Sequence, residues 1–304
     1  MPSIESSARG RKIAATCLAV LTVIVLPLLG PRVGSTQEEP VQPRIDEQFD
    51  KQEKIYRRPG TNLPGSYVTN RGLSGYAEIL PSSFCAALGS LGSLDRWLDI
   101  GAGQGQAILD YYGSEQNPGQ AAKCAGSGSR ASAVAISIED RRTDKWKEQA
   151  ASFGDNRVRY LAGKRLRQYS PEELGKFQII TDVYGGFSYT EKLSEFLETV
   201  LSLLETGGAF YTVLPAVRLE DGTDKLGTWY KTELVDAASR PVKVCSWLRQ
   251  TTCTKVICES KRNWDEPTQL IGIRKVCSGV SVPTLKIVEY MAGAPPGRRF
   301  QLEK

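Results

Sequence analysis

At 304 residues, with 40% apolar and 24% charged side chains, the chain has the composition of an ordinary globular protein able to bury a real core. Its formal charge of +5 is concentrated at the start, where residues 1–35 hold Arg9, Arg11, Lys12 and Arg32 against Glu5 and leave only +2 for the rest. A body so nearly neutral lacks the clustered positive charge that phosphate-backbone binding requires, which argues against a nucleic-acid partner.

The first thirty-five residues run in the order of a secretory signal: the basic start MPSIESSARGRK, the apolar run IAATCLAVLTVIVLPLLG, then PRVGSTQ with Val33 and Ser35 placed for cleavage. The apolar run is also nearly long enough to span hydrocarbon, so an uncleaved anchor competes with a cleaved signal. Basic residues before the run and Glu38 and Glu39 after it put the N-terminus inside and the body outside the cytoplasm. The competing arrangement is a membrane-associated chain whose body faces the cytoplasm. Cys17 lies near the start of the run, away from any lipid-attachment position. Residues 36–63 are polar, carry prolines and show no apolar period, as expected of a linker or arm. A domain over 64–291 and a C-terminal tail over 292–304 complete the division.

From GYAEILPSSFCAALGSL onward the pattern is that of a folded domain, with Phe84, Ala87 and Leu88 at helical spacing. RWLDI predicts a strand and QAILDYY opens a helix. AVAISI (133–138), VRYLAG (158–163), FQIITDV (177–183) and AFYTVLP (209–215) predict four further strands. Ser170 before Pro171 marks a helix start. TEKLSEFLETVLSLLETGG (190–208) predicts a helix with Leu193, Phe196, Leu197, Val200 and Leu204 on one face and glycines to end it. Five alternations with near-continuous apolar strands predict an α/β fold: a doubly wound, mostly parallel sheet with helices on both faces. After Pro215, VKVCSWLRQ, TKVICES and QLIGIRKV are strand-like, and predict an antiparallel C-terminal strand pair on the sheet edge. The long stretch between the first two strands reads as a surface insertion.

Setting Cys17 aside, six cysteines remain: Cys85, Cys124, Cys245, Cys253, Cys258 and Cys277. An even number in an exported chain permits disulfides without specifying their pairing. On a regular strand Cys253 and Cys258 point to opposite faces, so each must look to Cys245 or Cys277 or stay free. With no histidine and no C-x-x-C pair, no metal site is expected.

At the exit of the first predicted strand stands DIGAGQG, with Asp99 and Gly101, Gly103 and Gly105. Glycines there let the main chain approach a ligand closely. The dinucleotide spacing fails, because its last position is Gln106, and this disfavours a nucleotide-dependent oxidoreductase; a P-loop lacks its Gly-Lys-Ser/Thr. D-x-G-x-G-x-G resembles the first motif of the class I S-adenosylmethionine-dependent methyltransferases, and the likeness extends over residues 75–215. That resemblance implies a Rossmann-like fold and S-adenosylmethionine as cofactor. It also implies contacts from the glycine loop to the methionine part, with Asp99 holding the amino group. At the end of the second strand the family uses an acid for the ribose. Ser137 and Glu139 share the same strand parity, and Glu139 alone is acidic. Where the family often places an acid for the adenine amine this chain has Lys164, which cannot accept that bond. Asp182 and Tyr184 lie at the expected methyl position. Asp182 is assigned to the cofactor pocket and, should a base be needed, to that role; Tyr184 is the second catalytic candidate. The function implied is methyl transfer to an unidentified acceptor, a small molecule or lipid being favoured. The alternative is an exported, catalytically degenerate fold serving as a binding or structural domain.

Overall fold

A computed structural model of the chain describes residues 41–56, 71–113, 124, 130–154, 156–220, 230–261 and 266–303. The export segment expected at 1–35 and most of the insertion after residue 113 lie outside the described residues. No helix among the described residues is long and apolar enough to cross a membrane.

Eleven strands are described: β1 (Arg96–Ile100), β2 (Ser132–Ser137), β3 (Val158–Ala162), β4 (Phe177–Asp182), β5 (Leu204–Pro215), β6 (Thr232–Val235), β7 (Pro241–Val242), β8 (Thr254–Lys261), β9 (Thr268–Lys275), β10 (Leu285–Met291) and β11 (Gly297–Leu302). Seven of them form the main sheet in the order β3-β2-β1-β4-β5-β9-β8. β1 to β5 pair in parallel, whereas β9 pairs antiparallel with β5 and β8 antiparallel with β9. This is the expected doubly wound sheet with its antiparallel strand pair at the edge.

Alternation along each strand feeds two cores. Trp97, Ala133, Ala135, Ile179 and Tyr211 face the helices Leu73–Ile79, Phe84–Gly89 and Gln106–Gly113. Leu98, Ile100, Val134, Ile136, Ile180 and Phe210 face the helix Leu193–Leu203 and the second sheet. Ser170 accepts from the Glu173 amide at 3.1 Å and caps the helix Pro171–Leu174, as its position before Pro171 predicts.

The helix expected over 190–208 occupies only Leu193–Leu203, and the residues LETGG already belong to β5. The buried Lys275 ends it, donating to the carbonyls of Leu201 and Leu204 at 2.9 Å each, a cation placed at a helix C-terminus. The segment expected as a strand at VKVCSWLRQ is a helix, Val244–Leu248. Its buried Val244, Trp247 and Leu248 follow helical spacing, and the Trp247 indole donates to the Pro283 carbonyl at 2.9 Å.

A second, four-stranded sheet in the order β10-β11-β6-β7 was not anticipated. It includes residues expected to form a tail: β11 pairs with β10 and β6, and its Phe300 is fully buried. The expected linker also departs from expectation, since Val41–Tyr56 is helical. Ile45 is buried, and the Phe49 ring meets that of Tyr290 at 4.7 Å. Gln52 exchanges two hydrogen bonds with the Gly293 backbone, at 2.9 and 3.1 Å. The stripe 45-49-52 is helical, but its third member is a glutamine satisfied by hydrogen bonds, so hydropathy alone conceals it.

Three disulfides link Cys85 with Cys124, Cys245 with Cys258, and Cys253 with Cys277. Cys253 and Cys258 therefore each find the partners expected. Cys253 stands just before β8 with φ +59° rather than on it.

Candidate functional site

β1 and β4 are neighbours in the sheet, yet the chain leaves β1 toward β2 on one side and β4 toward β5 on the other. At such a reversal the loops beyond the carboxyl ends diverge and leave a crevice. An open cleft lies there. Ile100, Gly101 and Gly103 border it from β1, Ser137 and Ile138 from β2, Lys164 to Arg167 from β3, and Tyr184 to Gly186 from β4.

The glycine loop meets a backbone requirement. Gly101, Gly103 and Gly105 have φ of +69°, +58° and +76°, the left-handed region that side chains with a Cβ rarely adopt. At Gly101 the need is also one of space, since a Cβ there would lie 2.6 Å from the Gly185 Cα. The two loops thus pass backbone against backbone at the floor of the cleft. The Tyr160 hydroxyl donates to the Gly103 carbonyl and, at 3.2 Å, to that of Glu139, tying the glycine loop to the end of β2.

The three carboxylates expected in the cleft are directed elsewhere. Asp99 has no exposed surface. It accepts from the Tyr76 hydroxyl at 2.9 Å and from the Thr181 hydroxyl at 2.7 Å. Thr181 in turn accepts from the Trp97 indole at 2.8 Å. Burial pushes the Asp99 carboxyl up to about 7, against the opposing pull of those two donors and of nearby Arg71. Asp182 is equally buried and accepts from the amides of Gly185 and Phe187 at 3.0 and 3.1 Å. It therefore closes the turn that opens the short helix Gly186–Tyr189, and burial pushes it up to about 7 as well. Glu139 is half-buried and its carboxylate pairs with Arg141 at 2.8 Å. None of the three lines the cleft, nor does Gly105, whose Cβ position is 3.1 Å from the Trp146 ring.

Gly101, Gly103 and Tyr184 are the expected residues that the fold brings to the cleft, together with Ser137 and Lys164. Tyr184 has φ +53°, a strained value for an aromatic residue, and the Arg71 guanidinium stands 5.0 Å from its ring centre. Burial pushes its phenol up to about 12. Ser137 replaces the expected acid at the β2 edge of the cleft, and the next residue, Ile138, is exposed beside it.

Sequence reading missed Tyr76, Thr181 and Tyr160, which hold Asp99 and the glycine loop. It also missed Arg165 and Arg167, which line the cleft beside Lys164. The polar run GKRLRQ after β3 carried a visible signal for the last two: three cations in four residues at a carboxyl strand end.

No protein-family model matches the chain, and no curated protein matches it. Among solved structures it is similar to an rRNA methylase from Streptococcus thermophilus, at 10% identity and TM-score 0.40, over 64% of this chain and 93% of that one. The N-terminal domain of EvdMO1 with SAH bound is 12% identical at TM-score 0.43, over 76% of this chain and 97% of that one. A phosphoethanolamine N-methyltransferase from Haemonchus contortus in complex with S-adenosyl-L-methionine is 10% identical at TM-score 0.42, over 64% of this chain and 52% of that one. The parallel β1 to β5 with the antiparallel β9–β8 pair at one edge form the doubly wound α/β sheet that the sequence predicts.

Proposed function

We propose that the cleft binds S-adenosylmethionine and that the chain transfers the cofactor's methyl group to an acceptor. The observation that carries this reading is the glycine loop: three left-handed glycines at the β1 exit, with no room for a Cβ at Gly101, opening on a cleft at the reversal of strand order. The residues present fit the cofactor in shape. Gly101 and Gly103 would admit its amino-acid portion, the Ser137 hydroxyl its ribose, and Ile136, Ile138 and Leu166 its adenine. When bound, the cofactor supplies an electrophilic methyl group on a positively charged sulfur.

The chain's own residues then contribute placement more than proton transfer. Asp182 is engaged by backbone amides, and Tyr184 with its phenol at about 12 keeps its proton at neutral pH. We assign Tyr184 to orienting the acceptor; in-line methyl transfer depends chiefly on such alignment. Asp99 and Glu139 are reassigned to support, Asp99 through Tyr76 and Thr181, and Glu139 through Arg141.

We further propose that the body lies outside the cytoplasm. The leader-like residues 1–35 support this, as do three disulfides of the kind that persist in oxidising compartments. A fusion reporter of membrane sidedness tests it, and a cytoplasmic body refutes it.

Calorimetry of the full chain with S-adenosylmethionine and S-adenosylhomocysteine tests the cofactor. Saturable binding that is lost in Gly103→Val is the expected result. No binding at millimolar cofactor leaves the exported, catalytically degenerate fold as the better account.

A further inference from the structure

The side of the cleft beneath β3 is basic. Lys164, Arg165 and Arg167 line it within four consecutive positions, Lys192 adds a fourth cation, and Glu191 and Glu195 are the acids of the lining. The loop that carries the first three is built, because the Arg165 amide donates to the Gln168 side chain at 2.7 Å, the Gln168 amide returns a bond to the Arg165 carbonyl at 2.9 Å, and Leu166 is buried.

Each cation has an ionic partner, Lys192 with Glu195 at 2.9 Å among them, and the partnership of Lys164 is the loosest. Lys164 and Glu173 stand 3.9 Å apart with both side chains near half exposure. Arg167 meets Glu191 at 2.7 Å, and Arg165 meets Glu53. The exposed Lys164–Glu173 pair is a weak one, and a dianion in the cleft offers Lys164 and Arg167 a more highly charged partner than a single carboxylate. Glu53 and Glu173 both lie outside the lining, and the carboxylates of Asp99, Glu139 and Asp182 are turned away from it. Beside the cations, Ile138 is 36% exposed and Leu166 completes an apolar plate. A plate next to a basic wall suits a ligand with an apolar or planar body and a doubly charged anionic end.

We infer that Lys164 and Arg167 form a subsite for a phosphate monoester. This goes beyond the methyl-transfer reading and stands on the charge of the wall alone. The same chemistry is offered by a nucleotide and by a lysophospholipid, and the test separates the two.

The full chain is titrated at low salt with adenosine against adenosine monophosphate, and with monoacylglycerol against lysophosphatidic acid. In at least one pair the phosphate strengthens binding by about tenfold or more. The pair that responds identifies the source. In the double variant Lys164→Gln, Arg167→Gln that gain falls to about onefold; both residues are half exposed, so the fold is retained. A phosphate that adds nothing in either pair, or a double variant that keeps the full gain, overturns the inference. S-adenosylhomocysteine is titrated in parallel. Its failure to bind while phosphate discrimination persists removes the methyltransferase reading and leaves this subsite standing.

Discussion

Replacing Asp99 with asparagine should flatten the pH dependence of stability between about pH 4 and pH 7. The carboxyl has no exposed surface, and burial lifts it from 3.8 to about 7. In that window the folded chain holds a proton that the unfolded chain releases. The stabilisation is complete below the unfolded value and is lost as pH rises toward the folded one, the reverse of an ion-paired aspartate. Each tenfold gain in proton affinity on folding corresponds to about 1.4 kcal/mol, so the rise from 3.8 to about 7 is worth on the order of 4 kcal/mol across the window. Asparagine keeps the shape, its carbonyl accepts from Thr181, and the Tyr76 hydroxyl turns to accept from its amide. Asp182, raised in the same sense chiefly by burial and also by the Asp99 charge, remains in the variant, so the difference between the two curves reports Asp99 together with its coupling to Asp182. The assay is urea unfolding from pH 4 to pH 8 with disulfides intact. Wild type should lose stability relative to the variant with rising pH. Parallel curves would mean that Asp99 is already ionised in the fold and that its burial has been misjudged.

Gly101→Ala forces a methyl to within 2.6 Å of the Gly185 Cα at φ +69°, costing on the order of 1–2 kcal/mol from the backbone alone. Calorimetry should show affinity for S-adenosylhomocysteine falling at least about tenfold, and unchanged affinity rejects this loop as the ligand's cradle. Arg298→Met removes a buried guanidinium that donates to the carbonyls of Phe187 and Thr190 and to the Thr232 hydroxyl, at 3.1, 2.6 and 2.6 Å. With two carbonyls losing a donor, stability in urea should drop by about 2–4 kcal/mol; an unaltered midpoint would show that the second sheet is not tied to the cleft through this residue. Non-reducing peptide mapping should recover the pairs 85–124, 245–258 and 253–277, and a 253–258 bridge contradicts the structure. Removing 245–258 alone, by paired serine substitution, should lower stability by about 3 kcal/mol for so short a closed loop.

The parallel sheet was readable because each of its strands is a local apolar run, and helix-forming segments separate them. The second sheet was not, because its contacts are remote in sequence. β6 is four residues long and finds its parallel partner in β11, pairing Thr232 with Arg298. Nothing within a window around either strand announces the other. Val244–Leu248 failed for a different reason: β-branched and aromatic residues favour a strand locally, while the depth of Trp247 in the core selects a helix.

At the site, motif and side-chain direction separate. D-x-G-x-G-x-G specifies where the main chain turns, and the three positive φ values follow from it. It does not specify what the acid touches. Asp99 shares strand parity with Trp97, so both point toward the helix Leu73–Ile79, where Tyr76 and the neighbouring Thr181 absorb the carboxylate. Ile100, on the opposite parity, reaches the cleft instead. The adjoining strand ends repeat the pattern, with Asp182 closing its own turn and Glu139 held by Arg141. The acids at the strand ends support the loops, while glycines, Ser137, the cations and the acids Glu191 and Glu195 line the cleft. The donors of this lining, Lys164, Arg165, Arg167 and Ser137, suit the part of a ligand that accepts bonds, as a carboxylate or phosphate does.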